Sequence, residues 1–208
     1  MAFHRLSPAF VALIVAVLIA LSARAEQEPP RILIDEFHAV LVNVMEEADS
    51  LGYDGRYDWL SPVVEDTFNL DFMARVTAGR FWKKASDQER ERFVGAFGRM
   101  SVAIYASRFD DYAGEQFEVL AVESVPRESV LIKSNIVKKD GSKVAINYLL
   151  RQFDDEWRII DIYLKGSISE LATRKSEYSS ILRRKGLEGL IVALDDKVAT
   201  LAQESATP

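Results

Sequence analysis

Asp161 has the setting that most invites chemistry. It lies between Ile160 and Ile162 in the most apolar stretch after the N-terminal segment. A carboxylate there is half-buried and needs a partner, because burying an unpaired charge is costly. Three roles fit: pairing with an arginine, accepting bonds from backbone amides near the following turn, or meeting a ligand. Two histidines are present, His4 and His38. His4 falls in a segment that reads as removable, which leaves His38 alone on a helix. A lone histidine is a surface or core residue more often than a catalyst, since a base needs partners. Cysteine is absent, which removes thiol catalysis and zinc–thiolate sites. Gly166-Ser167-Ile168-Ser169 lacks the second glycine of a nucleophile elbow. No phosphate-cradling glycine loop, His-Glu-x-x-His or calcium loop occurs. The acidic pairs Glu46–Glu47, Asp110–Asp111 and Asp195–Asp196, and the run Asp154–Glu156, fall at element ends or on exposed faces. They read as solvated surface. Basic residues form two groups. Arg80, Lys83 and Lys84 flank Phe81–Trp82. Arg174, Lys175 and Arg183 to Lys185 lie on a later helix. The helix dipole accounts for the last three but not for Arg174.

The elements that position these residues follow an export signal. Arg5 precedes the unbroken apolar run Phe10–Leu21, and Ala23 and Ala25 then offer small residues for cleavage before Glu26. The run has 12 residues, short of the roughly 20 that a membrane span needs. Residues 1–25 are therefore expected to be a signal peptide that exports the chain, with an uncleaved N-terminal anchor as the alternative reading. Arg5 and Arg24 leave with it and no acid does, so the formal charge falls from −6 to −8. An acidic chain is a poor partner for nucleic acid, whose affinity rests on Lys and Arg.

Residues 26–203 read as one domain, and 204–208 as a flexible tail. After a leader to Arg31, apolar spacing predicts a helix over Ile32–Leu51. Gly52–Asp58 reads as a turn region, and Ser61-Pro62 as the cap and first position of a short helix. Asp71 is expected to cap another, ending at Gly79. Ser86 and Glu89 form a capping box that opens a helix to about Tyr112. Phe93, Phe97, Met100 and Ile104 share one face of it, and Tyr105 and Phe109 extend the stripe. The period then changes to two. Four strands are predicted: Phe117–Val125, Ser129–Lys138, Lys143–Phe153 and Trp157–Lys165. Their short connections imply an antiparallel meander. Its opposite faces are both partly apolar, which calls for cover on both or for a ligand against one. Ser167 and Glu170 open a helix to about Lys185; Gly186 separates it from another over Leu187–Gln203. Phe72, Phe93, Phe97, Met100, Ile104, Ile146, Tyr148 and Ile162 would make an ordinary core. Periodicity alone does not separate a filled core from one opened around an acyl chain.

The ordered set of motifs adds a resemblance. Asp161-Ile162-Tyr163-Leu164-Lys165-Gly166-Ser167-Ile168-Ser169, followed by Arg174, Ser176-Glu177-Tyr178, Ser180-Ile181-Leu182 and Gly186-Leu187-Glu188-Gly189-Leu190-Ile191, resembles the C-terminal signature of the MlaC family. These are periplasmic phospholipid-binding proteins, also called toluene-tolerance auxiliary proteins. Phe72-x-x-Arg75-Val76, Gly79-Arg80-Phe81-Trp82-Lys83-Lys84-Ala85, Gln88, Phe93-x-x-x-Phe97, Asn147-Tyr148-x-Leu150-Arg151 and Trp157 are similar to the family's middle segments. The run Glu170–Tyr178, with Ala172–Thr173, is more similar to the hopanoid-cluster branch, HpnM.

The resemblance implies an α+β, NTF2-like fold: a curved antiparallel sheet of about four strands packed with N-terminal and C-terminal helices around an apolar lipid pocket. It implies a non-enzymatic carrier in the periplasm that passes phospholipid or a hopanoid-like lipid between inner- and outer-membrane transport complexes. No cofactor is expected beyond lipid cargo, and a monomer is expected. The expected pocket residues are Phe72, Val76, Phe93, Phe97, Met100, Ile104, Ile132, Ile146, Tyr148, Ile162, Leu164 and Tyr178, with Arg80, Lys83 and Arg174 as headgroup or partner contacts. Two alternatives stand beside it: an envelope scaffold with a filled core, and a lipid-modifying enzyme using Asp161 as base.

Overall fold

The computed structural model describes residues 29–205. The expected signal segment and positions 206–208 of the expected tail lie outside the described residues. Pro29 and Pro30 already belong to the first turn of α1 (Pro29–Glu46), so the leader is shorter than its composition suggests. Proline suits that turn, where its missing N–H would have no partner anyway.

The next segment corrects the sequence reading. The element α2 (Ala48–Thr67) is divided at Gly52 (φ 61°, ψ −173°), where the expected turn region begins, but the chain is helical again from Tyr53 through Asp58 and on to Thr67. The break at Gly52 disrupts the helical ladder near the Ala48 carbonyl. Arg56 Nη1 donates to that oxygen at 3.1 Å, and its Nε donates to the Ala106 carbonyl at 2.9 Å. One buried guanidinium thus serves carbonyls of two helices that end or break there. Pro62 sits inside α2 instead of starting a new helix. It is exposed, as is Asp58 four residues earlier, so the carbonyl that loses an amide faces water.

In α3 (Leu70–Ala78) the cap is Asn69, not Asp71: Asn69 Oδ1 accepts from the Phe72 amide at 2.8 Å. Gly79 ends the helix, and a 3-10 segment (Gly79–Lys84) follows. Ser86 and Glu89 form the expected capping box of α4 (Asp87–Arg108), which stops four residues before Tyr112.

The sheet is an antiparallel meander in the order β1 (Gln116–Val125), β2 (Ser129–Val137), β3 (Lys143–Phe153), β4 (Glu156–Leu164) and β5 (Ile168–Ser169). The architecture is α+β and NTF2-like, with five strands instead of about four. β5 has two residues, too few to show a period. Bulges at Val119/Ala121 and Leu149/Leu150 bend the ladders. The β1–β2 and β3–β4 hairpins turn on Arg127–Glu128 and Asp154–Asp155, all four at positive φ, as tight hairpin turns require. One sheet face meets the helices through Ile132, Tyr148, Ile159 and Ile162. On the other, Leu131, Leu149 and Tyr163 stay half-buried along a shallow groove with Arg127 and Arg151. The sheet is thus fully covered on one face only.

The last helix, α5 (Glu170–Ser205), is divided at Gly186 (φ 68°, ψ −166°), as expected, but extends through Glu204 and Ser205. Its second half is joined to α4 by Arg92–Glu188 and Arg99–Asp195 ion pairs, each 2.7 Å.

His38 is a core residue. Its Nε2 shares a 3.1 Å hydrogen bond with the Tyr148 hydroxyl, and its ring stacks on Phe117 at 4.2 Å. Burial holds its pKa at about 3, below the ordinary 6.5. The unfolded chain therefore binds the extra proton first, and His38 costs stability as pH falls from 6.5 toward 3. Comparing urea midpoints at pH 7.5 and pH 5 should show a loss of about 2 kcal/mol. His38→Gln should flatten that window. Glu89, Glu118 and Asp140, whose carboxyls are held below their usual range by hydrogen bonds, respond at lower pH. An unchanged slope in the variant would assign the effect elsewhere.

Candidate functional site

A cavity of about 390 Å³ lies between α4 and the sheet, within the size range of small-molecule sites. Helical spacing brings Ser101, Ile104, Tyr105 and Arg108 to its helix side, with Phe109 after them. Strand alternation brings Ile136, Ile146, Ile162 and Leu164 to the opposite wall. Met45, Phe68 and Met73 close the sides, and Glu170 and Arg174 enter from α5. The wall is mostly aliphatic and aromatic. Two of its members are methionines, whose unbranched chains adapt to irregular contents.

The polar groups are few and grouped. Arg174 Nη1 donates to Ser101 Oγ at 3.0 Å, while its guanidinium lies over the Phe97 ring at 5.2 Å. Ser101 in turn donates to the Phe97 carbonyl at 2.8 Å. Tyr105 is wedged between Phe37, Phe68 and Phe109, with ring centroids at 5.5, 5.9 and 5.6 Å. Burial pushes its hydroxyl pKa up, against the opposing influence of Arg174 and Arg108. The phenol therefore stays protonated and can donate. Arg108, Asp110, Asp111 and Glu115 complete the lining.

Of the residues picked out by sequence, Ile104, Ile146, Ile162, Leu164 and Arg174 line this cavity. The rest are placed elsewhere. Ile132 and Tyr148 are fully buried in the core, where Tyr148 faces His38 and Phe37. Phe93 and Phe97 are fully buried and pack edge-to-face at 6.3 Å. Tyr178 is buried in the same core, and Val76 and Met100 are half-buried against it. Phe72 is half-buried against the core and meets Phe153, with the guanidiniums of Arg75 and Arg151 each over its ring. Arg80 and Lys83 are exposed on the 3-10 segment, outside the cavity lining, with Arg80 over Phe81. The common reason is that one periodic stripe supplies both core and cavity wall. Met45, Phe68, Met73, Ser101, Tyr105, Arg108, Phe109, Asp110, Asp111, Glu115, Ile136 and Glu170 line the cavity without being among the expected pocket residues. Only their three-dimensional meeting marks them.

Asp161 is outside the lining as well. Its Oδ1 accepts from the Ile162 and Leu171 amides at 2.8 and 3.0 Å, and Oδ2 accepts from Ser169 Oγ at 2.6 Å. Of the roles open to it, the structure realises bonding to amides near the following turn. Among the described residues no group of three or more metal-ligating side chains gathers, and no helix is long and apolar enough to cross a membrane.

A family model described as MlaC protein matches residues 35–196. The chain belongs to the MlaC family. A curated MlaC relative, the intermembrane phospholipid transport system binding protein of Haemophilus influenzae, is 20% identical over 192 residues, covering 88% of each chain. A solved phospholipid-binding protein from Ralstonia solanacearum, in complex with a phospholipid, superposes with a TM-score of 0.71 at 18% identity. It covers 83% of this chain and 96% of that one. The MlaC match spans every element that lines the cavity, from Met45 on α1 to Arg174 on α5.

Proposed function

We propose that this MlaC-family protein is a non-enzymatic periplasmic carrier that holds a phospholipid by its acyl chains in the cavity between α4 and the sheet. It passes that lipid between inner- and outer-membrane transport complexes and works as a monomer. The supporting observation is the cavity itself, apolar along Ile104, Ile146, Ile162 and Leu164 with charged groups gathered in its lining. Burial of acyl chains contributes about 0.8 kcal/mol per CH2, so tails can be held without a strong headgroup clamp. The Asp161-base alternative finds no support, since both carboxylate oxygens are engaged and neither lines the cavity. The filled-core scaffold fits poorly with a void of this size.

A hopanoid-like cargo is the second reading. It rests on the likeness of Glu170–Tyr178 to the hopanoid-associated branch, and on the rings of Phe68, Tyr105 and Phe109 that offer flat surfaces. Native mass spectrometry of protein purified from its own cells should show one co-purifying lipid per chain, and fragmentation assigns it to either class. A bare protein mass under gentle ionisation would count against the carrier. A polycyclic mass would select the second reading.

A further inference from the structure

We propose that the cavity selects its cargo by headgroup charge: the Tyr105 hydroxyl with Arg108 and Arg174 takes the phosphodiester, and Asp110, Asp111 and Glu115 take an ammonium. An amine-bearing zwitterionic phospholipid is thereby preferred over an anionic one. This deepens the carrier reading and rests on it.

Tyr105 carries the first half of the argument. The residue is only 8% exposed, yet it lines the cavity, and none of the hydrogen bonds among the described residues uses its hydroxyl. The hydroxyl oxygen opens on the cavity instead of being sealed in the core, since the fully enclosed side-chain oxygen without a partner among the described residues is that of Tyr53. Arg174 and Arg108 line the same cavity and both favour negative charge at the hydroxyl, while Glu170 opposes it. Arg174 has Ser101, the Tyr178 hydroxyl and the face of Phe97 as partners but no ion pair among the described residues. A protonated phenol lining the same cavity as two guanidiniums gives a donor set for an anionic oxygen.

The carboxylates carry the second half. Asp110 and Asp111 directly follow Arg108 and Phe109 in the chain, and with Glu115 they line the same cavity. Asp111 accepts from the Tyr112 amide and Glu115 from the Ala113 amide, both local contacts that shape the loop. None of the ion pairs among the described residues neutralises these three. With Glu170, the lining holds four carboxylates against two guanidiniums. A net-neutral headgroup leaves that balance as it is, whereas an anionic one adds a charge of the sign already in excess. Asp110 and Asp111 are exposed, so water screens them and the preference is graded, not absolute.

The test uses the purified protein stripped of lipid, then loaded from vesicles of equimolar phosphatidylethanolamine and phosphatidylglycerol with matched tails. Bound lipid is counted by mass spectrometry. The ethanolamine lipid should exceed the glycerol lipid roughly fivefold at low salt, and the excess should shrink toward parity at about 1 M salt, where the Debye length is about 3 Å. Asp111→Lys, in an exposed loop, should bring the ratio to parity or reverse it. Asp110→Asn with Glu115→Gln should lower it. Equal loading of both lipids by the unmodified protein, or an unchanged ratio in Asp111→Lys, overturns the inference. The total loaded in the same spectra separates the two levels: lipid without preference removes only the headgroup selection, and no lipid at all removes the carrier reading too.

Discussion

Ile104→Glu should yield a folded protein that retains roughly a tenth or less of the wild-type lipid, because a carboxylate in the wall must be desolvated by every acyl chain that enters. Ile104 is half-buried and borders the cavity, so in the empty chain its substitute can be solvated there. Its melting temperature should fall by only a few degrees. Ile146→Glu, across the gap on β3, should behave in the same direction with a larger folding cost, since Ile146 is more deeply buried. Ile132→Glu is the control. Ile132 is fully buried in the core and outside the cavity lining, so a charge there should abolish folding. Lipid-to-protein ratios beside thermal melts decide the matter. If Ile104→Glu loses lipid and structure together, or keeps its lipid, the wall assignment is wrong.

Asp161→Ala should be the most destabilising substitution outside the hydrophobic core. It leaves the Ile162 amide, the Leu171 amide and the Ser169 hydroxyl without their acceptor in a site only 6% exposed. Orphaning donors of this kind costs about 1–3 kcal/mol each when buried. A combined loss near 4 kcal/mol lowers the melting temperature by about 8–16 °C for a chain of this length. Asp161→Asn separates charge from geometry. Its amide oxygen keeps both backbone donors and its amide nitrogen can donate to Ser169 Oγ, which already accepts from the Ala172 amide. The loss should stay near 1 kcal/mol. Equal destabilisation by Ala and Asn would mean that the negative charge beside the α5 N-terminus matters more than the acceptor count.

The contrast between these two sites shows what the residues reveal in advance. Asp161 is conspicuous because a carboxylate between isoleucines contradicts its surroundings, and the remedy found is among those expected. The capping box at Ser86, the change of period after Gln116 and the divide at Gly186 are similarly local, and each is found where local chemistry puts it. Gly52–Asp58 misleads because its polar composition mimics a turn. Beyond the break at Gly52 the segment is helical, and the buried Arg56 guanidinium within it bonds carbonyls 8 and 50 residues away, contacts that no local pattern carries. The cavity is harder still. Phe97 and Ile104 share one face of α4, yet Phe97 meets Arg174 and Ile104 meets a gap. Hydrophobic spacing registers that both turn inward and says nothing of what they meet.

The gap also bears on how long each molecule survives. Wall atoms that face a void forgo the dispersion contacts a filled core would give them. Anything bound only by the folded chain shifts its equilibrium away from open forms. Where the cavity holds a lipid, local opening around α4 becomes rarer, and degradation that follows the open population slows with it. An empty molecule is then the shorter-lived one, and proteolysis skews the standing pool toward molecules that carry cargo.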